Sequence, residues 1–391
     1  MDYDVAVVGA GPAGSATARD IAAAGFRVLL LEEHQQVGVP LHCSGFVTPR
    51  VLQLAGLDSE VVVNTVKGAL VHAPGGKTLL LGGDKTRALV LDRVLFDQRL
   101  AEAAQVQGTK LSLGSQLVGI ERQNAHVELR VQRTGREHRL STRLLIGADG
   151  VRSRVASWLG QPRGETVWAL GIEARLPGHP VDMAQVYVGN HLAPGWFGWT
   201  IPLSTDRVRI GIGSISGSPL NGNHKPRWLL ERLVAHFPSH FRGLEVLGHS
   251  GGFIPLYSRV KSYAANVLLV GDAARQVKPT SGGGIYPALL AARYAAETSL
   301  LALQREDLSE SMLAHYERRW RKRLGRELEQ AQRLRNIYAR LGNRHLDLLC
   351  SVLSSPLLQG VIRRYGDIDF QSKVFSALVK VAPVLRPLVG A

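Results

Sequence analysis

Apolar residues follow three rhythms along this chain of 391 residues. A short continuous run, YDVAVV over 3–8, meets a glycine cluster, then apolar positions at helical steps over 12–24, then RVLLL over 27–31. Buried strand, helix and buried strand in that order predict the βαβ opening of a doubly wound sheet. A second helix is predicted over 92–107, with Val94, Leu95, Leu100 and Ala104 on its apolar side. Period-two runs follow. QLVGIE, HVELRVQ and RLLIGA between 110 and 147 read as a β-meander ending in a core strand. VWALGIEARL, AQVYVG, FGWTIPL and RVRIGIGSI over 167–215, parted by Pro and Gly turns, read as a second set of strands. A core strand over 266–270 leads into GDAA, and from Ile285 the pattern is helical almost to the end. No internal repeat and no low-complexity linker interrupts it. The chain is α/β, with a β-rich insertion and a helical tail.

Composition narrows this little. A hydrophobic share of 45% and a charged share of 20% describe an ordinary globular protein, and the length calls for two or three structural units. The start MDYDVAVVGAG has no basic leader, so no secretory signal is expected. The most apolar stretch, 287–303, is broken by Arg293 and Glu297 and makes a poor membrane span. Cys43 and Cys350 are the two cysteines, too few for a disulfide framework or metal cage, which fits a cytoplasmic protein. The net charge is +15, and ten Lys or Arg between Arg318 and Arg344 face only Glu327 and Glu329. Trp320, Leu324, Leu328, Ala331, Leu334, Tyr338 and Leu341 recur there at helical steps. An amphipathic helix with a basic outer face is expected, read first as a solvated surface and second as a membrane-surface contact. Nothing resembles a nucleic-acid module.

Three glycine-bearing turns carry the chemistry. In Gly9-Ala10-Gly11-Pro12-Ala13-Gly14 the first glycine permits the turn, the second admits a pyrophosphate, and the third lets helix press on sheet. The helix N-terminus supplies N–H groups, and Glu32, ending the next strand beside Glu33, is placed to accept a ribose hydroxyl. The reading is an adenine dinucleotide. The second turn is Gly147-Ala148-Asp149-Gly150, where Asp149 could equally be a helix cap. The third is Gly271-Asp272-Ala273-Ala274, followed by Pro279-Thr280-Ser281-Gly282-Gly283-Gly284-Ile285. Asp272 can accept from a ribityl chain, and the glycine run ahead of a helix suits the flavin edge where negative charge develops.

Together these segments resemble the FAD-dependent oxidoreductases built like para-hydroxybenzoate hydroxylase. The segment Leu91-Asp92-Arg93 with Asp97 resembles that superfamily's R…D helix, which places Arg93 near the FAD; as a sequence feature alone it reads equally well as a surface arginine. A closer resemblance is to the geranylgeranyl reductases. It rests on Pro40-Leu41-His42-Cys43-Ser44-Gly45, on Lys67-Gly68 with Pro74-Gly75-Gly76, on Trp196-Phe197-Gly198-Trp199-Thr200-Ile201-Pro202, and on Gly366-Asp367-Ile368-Asp369 through Pro383. The resemblance implies a Rossmann-like FAD-binding domain over 1–65, 84–165 and 256–305, an inserted antiparallel β-sheet substrate domain over 66–83 and 166–255, and a helical C-terminal region over 306–391. It implies FAD contacts at Gly9, Gly11, Ala13, Gly14, Glu32, Glu33, Cys43, Ser44, Arg93, Asp149, Gly150, Gly271, Asp272, Pro279, Gly282, Gly283, Gly284 and Ile285. Trp196, Phe197 and Trp199 would line an isoprenoid channel. NADPH or a ferredoxin would supply electrons.

Hydrogenating an isolated alkene takes a hydride and a proton. A free thiol is protonated at neutral pH, so Cys43 is the expected donor, with His42 its rival. Two other readings follow from the resemblance. Phe197-x-Trp199-x-Ile201-Pro202 is one residue from the motif of flavin-dependent halogenases, for which Lys67 or Lys77 would have to handle the halogenating species, and an aromatic hydroxylase uses the same fold. A prenyl-binding escort module of the Rab escort type would bind lipid without flavin.

Overall fold

The computed structural model describes residues 1–215 and 226–381. The resemblance at Pro383 therefore lies outside the described residues. The opening unit forms as the periodicity predicts: strand Tyr3–Val8, helix Pro12–Ala22 and strand Val28–Leu31. Five parallel strands make the body of the first sheet, in the order Val267–Leu269, Arg136–Gly147, Tyr3–Val8, Val28–Leu31 and Lys110–Ser112. Strands buried on both faces have no reason to alternate, and Val5, Leu30, Ile146 and Leu268 are all fully buried. Helix Pro12–Ala22 lies between sheet and helix Ile285–Gln304, and its run of Ala13, Ala16, Ala18 and Ala22 keeps the layers close. Ser115–Arg122 and Val127–Arg133 add the antiparallel meander to the first half of Arg136–Gly147.

The insertion is a seven-stranded sheet in the order Glu245–Pro255, Thr166–Arg175, Arg207–Ile215, Phe197–Pro202, Met183–Val188, Gly68–His72 and Thr78–Gly82. Its pairings are antiparallel except one, Met183–Val188 with Gly68–His72, where the chain returns from a distant segment to add an edge. A small sheet of Phe46–Val47, Ala88–Leu91 and Val62–Val66 joins the two bodies.

The expected basic helix over 318–344 is less simple. It consists of Glu310–Trp320, one wide turn over Arg321–Gly325, and Arg326–Tyr338. Trp320, Leu324, Leu328 and Ala331 are buried as the spacing implies. Arg335, assigned to the outer face, points inward instead, with its side chain 4% exposed and Nη1 3.0 Å from Glu165 Oε2. Three short helices complete the described tail: Asn343–Leu353, Pro356–Tyr365 and Gln371–Val381. Among the described residues no single helix is long and apolar enough to cross a membrane.

The first turn leaves no room for a side chain at Gly14 but leaves room at Gly11. A Cβ on Gly14 would overlap the Gly9 carbonyl, whereas one on Gly11 would have nothing within 4 Å. Gly14→Ala is expected to cost about 2–3 kcal/mol by overpacking, read as a lower urea midpoint. Gly11→Ala should leave cofactor-free stability within about 0.5 kcal/mol and weaken FAD binding instead, read by flavin fluorescence quenching. Equal losses of stability in the two variants would contradict this division.

Candidate functional site

The three glycine turns meet. A Cβ on Gly9 would overlap the Ala148 carbonyl, and one on Gly271 would sit 3.0 Å from Ala13 Cβ. Gly9 and Gly271 both have left-handed backbone, φ +97° and +70°, so the convergence depends on glycine conformations as well as glycine size. Gly11, Ala13, Asp149, Gly150, Gly271, Asp272, Gly282, Gly283, Gly284 and Ile285 line one cavity of ≈ 1170 Å³. Glu33, His42, Cys43, Ser44 and Arg93 line it as well, and so do Trp196, Phe197 and Trp199. Gly9 and Gly14 are packed behind its wall, and Pro279 is buried without lining it.

Two expected acceptors are already engaged. Glu32 takes the Ala10 N–H at 2.9 Å and the His34 N–H at 3.0 Å, and it does not line the cavity. Asp149 takes Ser153 Oγ at 2.6 Å and the N–H groups of Arg154 and Val155, so it caps the short helix Arg154–Trp158 while facing the cavity. Asp272 differs. Its carboxylate receives no hydrogen bond from the described residues, a Cβ on Gly284 would lie 3.0 Å from its Oδ1, and burial pushes its pKa up to about 6, opposed by the charge of Arg93. A desolvated acceptor without a donor is costly unless a ligand supplies the donors. Hydroxyls of a ribityl chain are donors of that kind. With the open space at Gly11, where a Cβ would fill the cradle, these residues fit FAD.

Arg93 belongs to the site and not to the surface. Its side chain is 11% exposed, it is bonded to Asp97 at 2.8–3.2 Å one turn along its helix, and it lies against the Cys43 sulfur. Burial opposes its charge, but Asp97 and the sulfur outweigh burial, so the guanidinium is held charged more firmly than a free one. Asp92, the helix cap predicted by position, accepts the Leu95 N–H at 3.0 Å. Cys43 is half-buried, with Sγ accepting the Gly45 N–H at 3.4 Å. Gly45 has φ +75° and sits so close to Leu91 O that a Cβ would lie at 2.5 Å. Arg209 from the insertion donates to Ser44 O at 2.9 Å and Leu91 O at 3.0 Å, pinning this loop. His42 is exposed, and its Nδ1 lies 2.6 Å from the Gly251 carbonyl. A carbonyl only accepts, so that nitrogen carries a hydrogen and spends it there.

The aromatic segment owes its place to glycines on the neighbouring strand. Cβ atoms on Gly211 and Gly213 would overlap Trp199 and Trp196. Trp196 stacks on Phe197 at 5.0 Å, and Phe197 meets Trp199 edge-on at 5.9 Å. Beyond them the cavity is lined by Val186, Ile201, Leu349, Leu353, Phe375 and Leu378 from the insertion sheet and the C-terminal helices. Lys67 pairs with Asp182 and Lys77 with Ser351, and neither lines the cavity. Four residues escaped the sequence reading: Thr48, Arg209, Lys278 and Asp369. Lys278 stands one residue before Pro279 in the glycine-rich loop, and Asp369 is in the Gly-Asp-Ile-Asp segment, so proximity to motifs was their one available signal.

Asp272 sets a pH dependence. Its native pKa of about 6 lies above the ordinary 3.8, so the native state keeps a proton that the unfolded chain releases between pH 4 and 6. Its contribution is full below that window and is lost as pH rises through it. In cofactor-free protein Asp272→Asn should raise stability by about 1–2 kcal/mol at pH 7, allowing for solvent in the cavity, and change nothing at pH 4. The same variant should bind FAD more weakly. Urea titrations of both proteins at the two pH values check it; parallel profiles would refute the assignment.

A family model described as an FAD binding domain matches residues 2–331. Digeranylgeranylglycerophospholipid reductase 1 of Methanococcoides burtonii is 32% identical, covering 99% of this chain and 95% of that protein. Digeranylgeranylglycerophospholipid reductase of Methanocaldococcus jannaschii is 30% identical, covering 91% of each. Among solved structures, a geranylgeranyl bacteriochlorophyll reductase-like protein from Thermoplasma acidophilum superposes with TM-score 0.88 at 26% identity, covering 99% of both chains. A flavin-dependent brominase shares the fold alone, with TM-score 0.75 at 16% identity, covering 98% of this chain and 100% of its own. With most of the residues expected to hold FAD lining one cavity and full-length kinship of this degree, the chain belongs to the FAD-dependent oxidoreductases of the geranylgeranyl reductase family.

Proposed function

We propose that the protein saturates double bonds of an isoprenoid chain carried by a lipid. One observation carries this reading: the cavity lined by the FAD loops is also lined by apolar residues of the insertion sheet and of the helices Arg326–Tyr338, Asn343–Leu353 and Gln371–Val381, a greasy channel suited to a polyprenyl tail. Bound FAD, when reduced, supplies the hydride. The protein's own part is to hold the alkene, exclude water and deliver a proton. Trp196, Phe197 and Trp199 hold the chain by apolar contact, and their stacking keeps them rigid. Cys43 Sγ delivers the proton, since His42 has committed its Nδ1 hydrogen to Gly251. Arg93, touching the sulfur, stabilises the thiolate left behind until it is reprotonated. NADPH or a ferredoxin supplies the electrons.

The relatives named as acting on digeranylgeranylglycerophospholipid support a glycerophospholipid as substrate, over chlorophyll-type or quinone side chains. Such a substrate lives in a membrane, and we place the protein at the cytoplasmic surface of one. Leu348 and Leu357, 63% and 68% exposed, lie on the same C-terminal helices as exposed Arg344 and Arg364 and support contact with an anionic bilayer. Dithionite-reduced protein, incubated anaerobically with geranylgeranyl-bearing phospholipid, should add hydrogen pairs to the substrate by mass spectrometry. Cys43→Ala should keep its yellow FAD and lose tenfold or more of that rate. No mass gain on any isoprenoid, with oxygen-dependent NADPH consumption on an aromatic substrate, would move the protein to the hydroxylases. Vesicles containing acidic phospholipid should co-sediment the wild type and release the Leu348→Glu/Leu357→Glu variant; equal binding of both would remove these helices from the contact.

A further inference from the structure

The Gly366-Asp367-Ile368-Asp369 segment has no part in the chemistry above, yet it is bonded to two walls of the cavity. The Asp369 side chain is fully buried, and its oxygens reach different parts of the chain. Oδ1 accepts from Lys278 Nζ at 2.8 Å, while Oδ2 accepts from Thr48 Oγ1 at 2.5 Å and Arg50 Nη1 at 3.3 Å. Arg50 also pairs with both oxygens of Asp367, at 2.8 and 2.9 Å, and Asp367 accepts the Asp369 N–H at 2.9 Å. Thr48, Lys278 and Asp369 all line the cavity. Lys278 opens the loop that ends in the triple glycine: its carbonyl accepts the Gly282 N–H at 2.9 Å, and a Cβ on Gly283 would lie 2.7 Å from its Cε. Thr48 and Arg50 continue the Cys43 loop. One carboxylate of the tail thus ties the glycine-rich cofactor loop to the loop that carries the proposed proton donor. The group contains two cations and two carboxylates, so its charge balances, and removal of either member of the buried pair strands the other.

We propose that Asp369 is a positioning residue that fixes both loops and neutralises Lys278, thereby setting the reduction potential of the bound flavin. Reduction adds negative charge to the flavin, so an uncompensated Lys278 ammonium beside the glycine loop favours it and an uncompensated Asp369 carboxylate opposes it. The proposal rests on FAD being held at this site and on nothing about the substrate. The test is the midpoint potential of bound FAD, measured by anaerobic dye equilibration without any isoprenoid. Asp369→Asn should raise it and Lys278→Met should lower it, each by at least a tenfold change in the oxidised-to-reduced ratio, ~30 mV for a two-electron couple. The double variant should return to within threefold of the wild type. A residue that only supports the fold would move both single variants in one direction. Shifts of the same sign, or shifts below threefold in both, overturn the proposal. Should Asp369→Asn not fold, Lys278→Met decides alone: a lowered potential supports it and an unchanged one overturns it. Loss of isoprenoid reduction with these shifts intact would count against the substrate reading only.

Discussion

The molecule depends on a backbone contact that only glycine permits. Where the first strand turns into the first helix, Gly14 rests on the Gly9 carbonyl, and Gly9 in turn rests on Ala148. Gly271 closes the group against Ala13. Three stretches separated by more than a hundred residues each are brought within van der Waals reach at one helix N-terminus, where unpaired N–H groups and the helix dipole favour an anionic ligand. A methyl group at either of the first two glycines would push the segments apart. The remaining site residues are distributed around this fixed point.

What the sequence disclosed follows from how local each signal is. The parallel strands and the long helix Ile285–Gln304 are written in unbroken periodicity, and the glycine turns in spacing that has a steric cause. Cys43, Arg93 and the aromatic triplet reached the cavity because a motif marked each. Glu32 and Asp149 were placed in the right loops, but loops have backbone donors of their own, and those donors claim both carboxylates. Arg335 misled because helical periodicity locates a face without saying what lies opposite it; an inward arginine bonded through Nη1 to Glu165 looks, in sequence, like any other charge. Asp369 and Lys278 are 91 residues apart, and no periodic or compositional rule links two positions at that distance.

The insertion sheet shows how glycine can shape a binding surface through the side chains of its neighbours. Gly211 and Gly213 alternate with Ile210 and Ile212 on one strand, so one face of that strand is bare while the other, fully buried, packs into the insertion's own core. Trp196 and Trp199 lie over the bare face. The aromatic wall is therefore set by a pattern that reads, in isolation, as a weak strand. The brominase has the same general fold at far lower identity, and one fold can host different activities through the residues that line its site.

The charges of the cavity separate into two kinds. Arg93 with Asp97, and Lys278 with Arg50, Asp367 and Asp369, are pre-balanced groups whose polar atoms are spent within the protein. Asp272 differs, a carboxylate held in place with no donor among the described residues. Balanced groups change little when a ligand arrives, so they define shape. An unbalanced one gains its hydrogen bonds only from the ligand, so it contributes affinity. Placing the unbalanced group between Gly271 and Gly284, and the balanced ones on the flanking loops, makes cofactor binding the event that gives Asp272 its hydrogen bonds. Beyond these groups the channel is lined mostly by apolar side chains, which suits a substrate made of hydrocarbon.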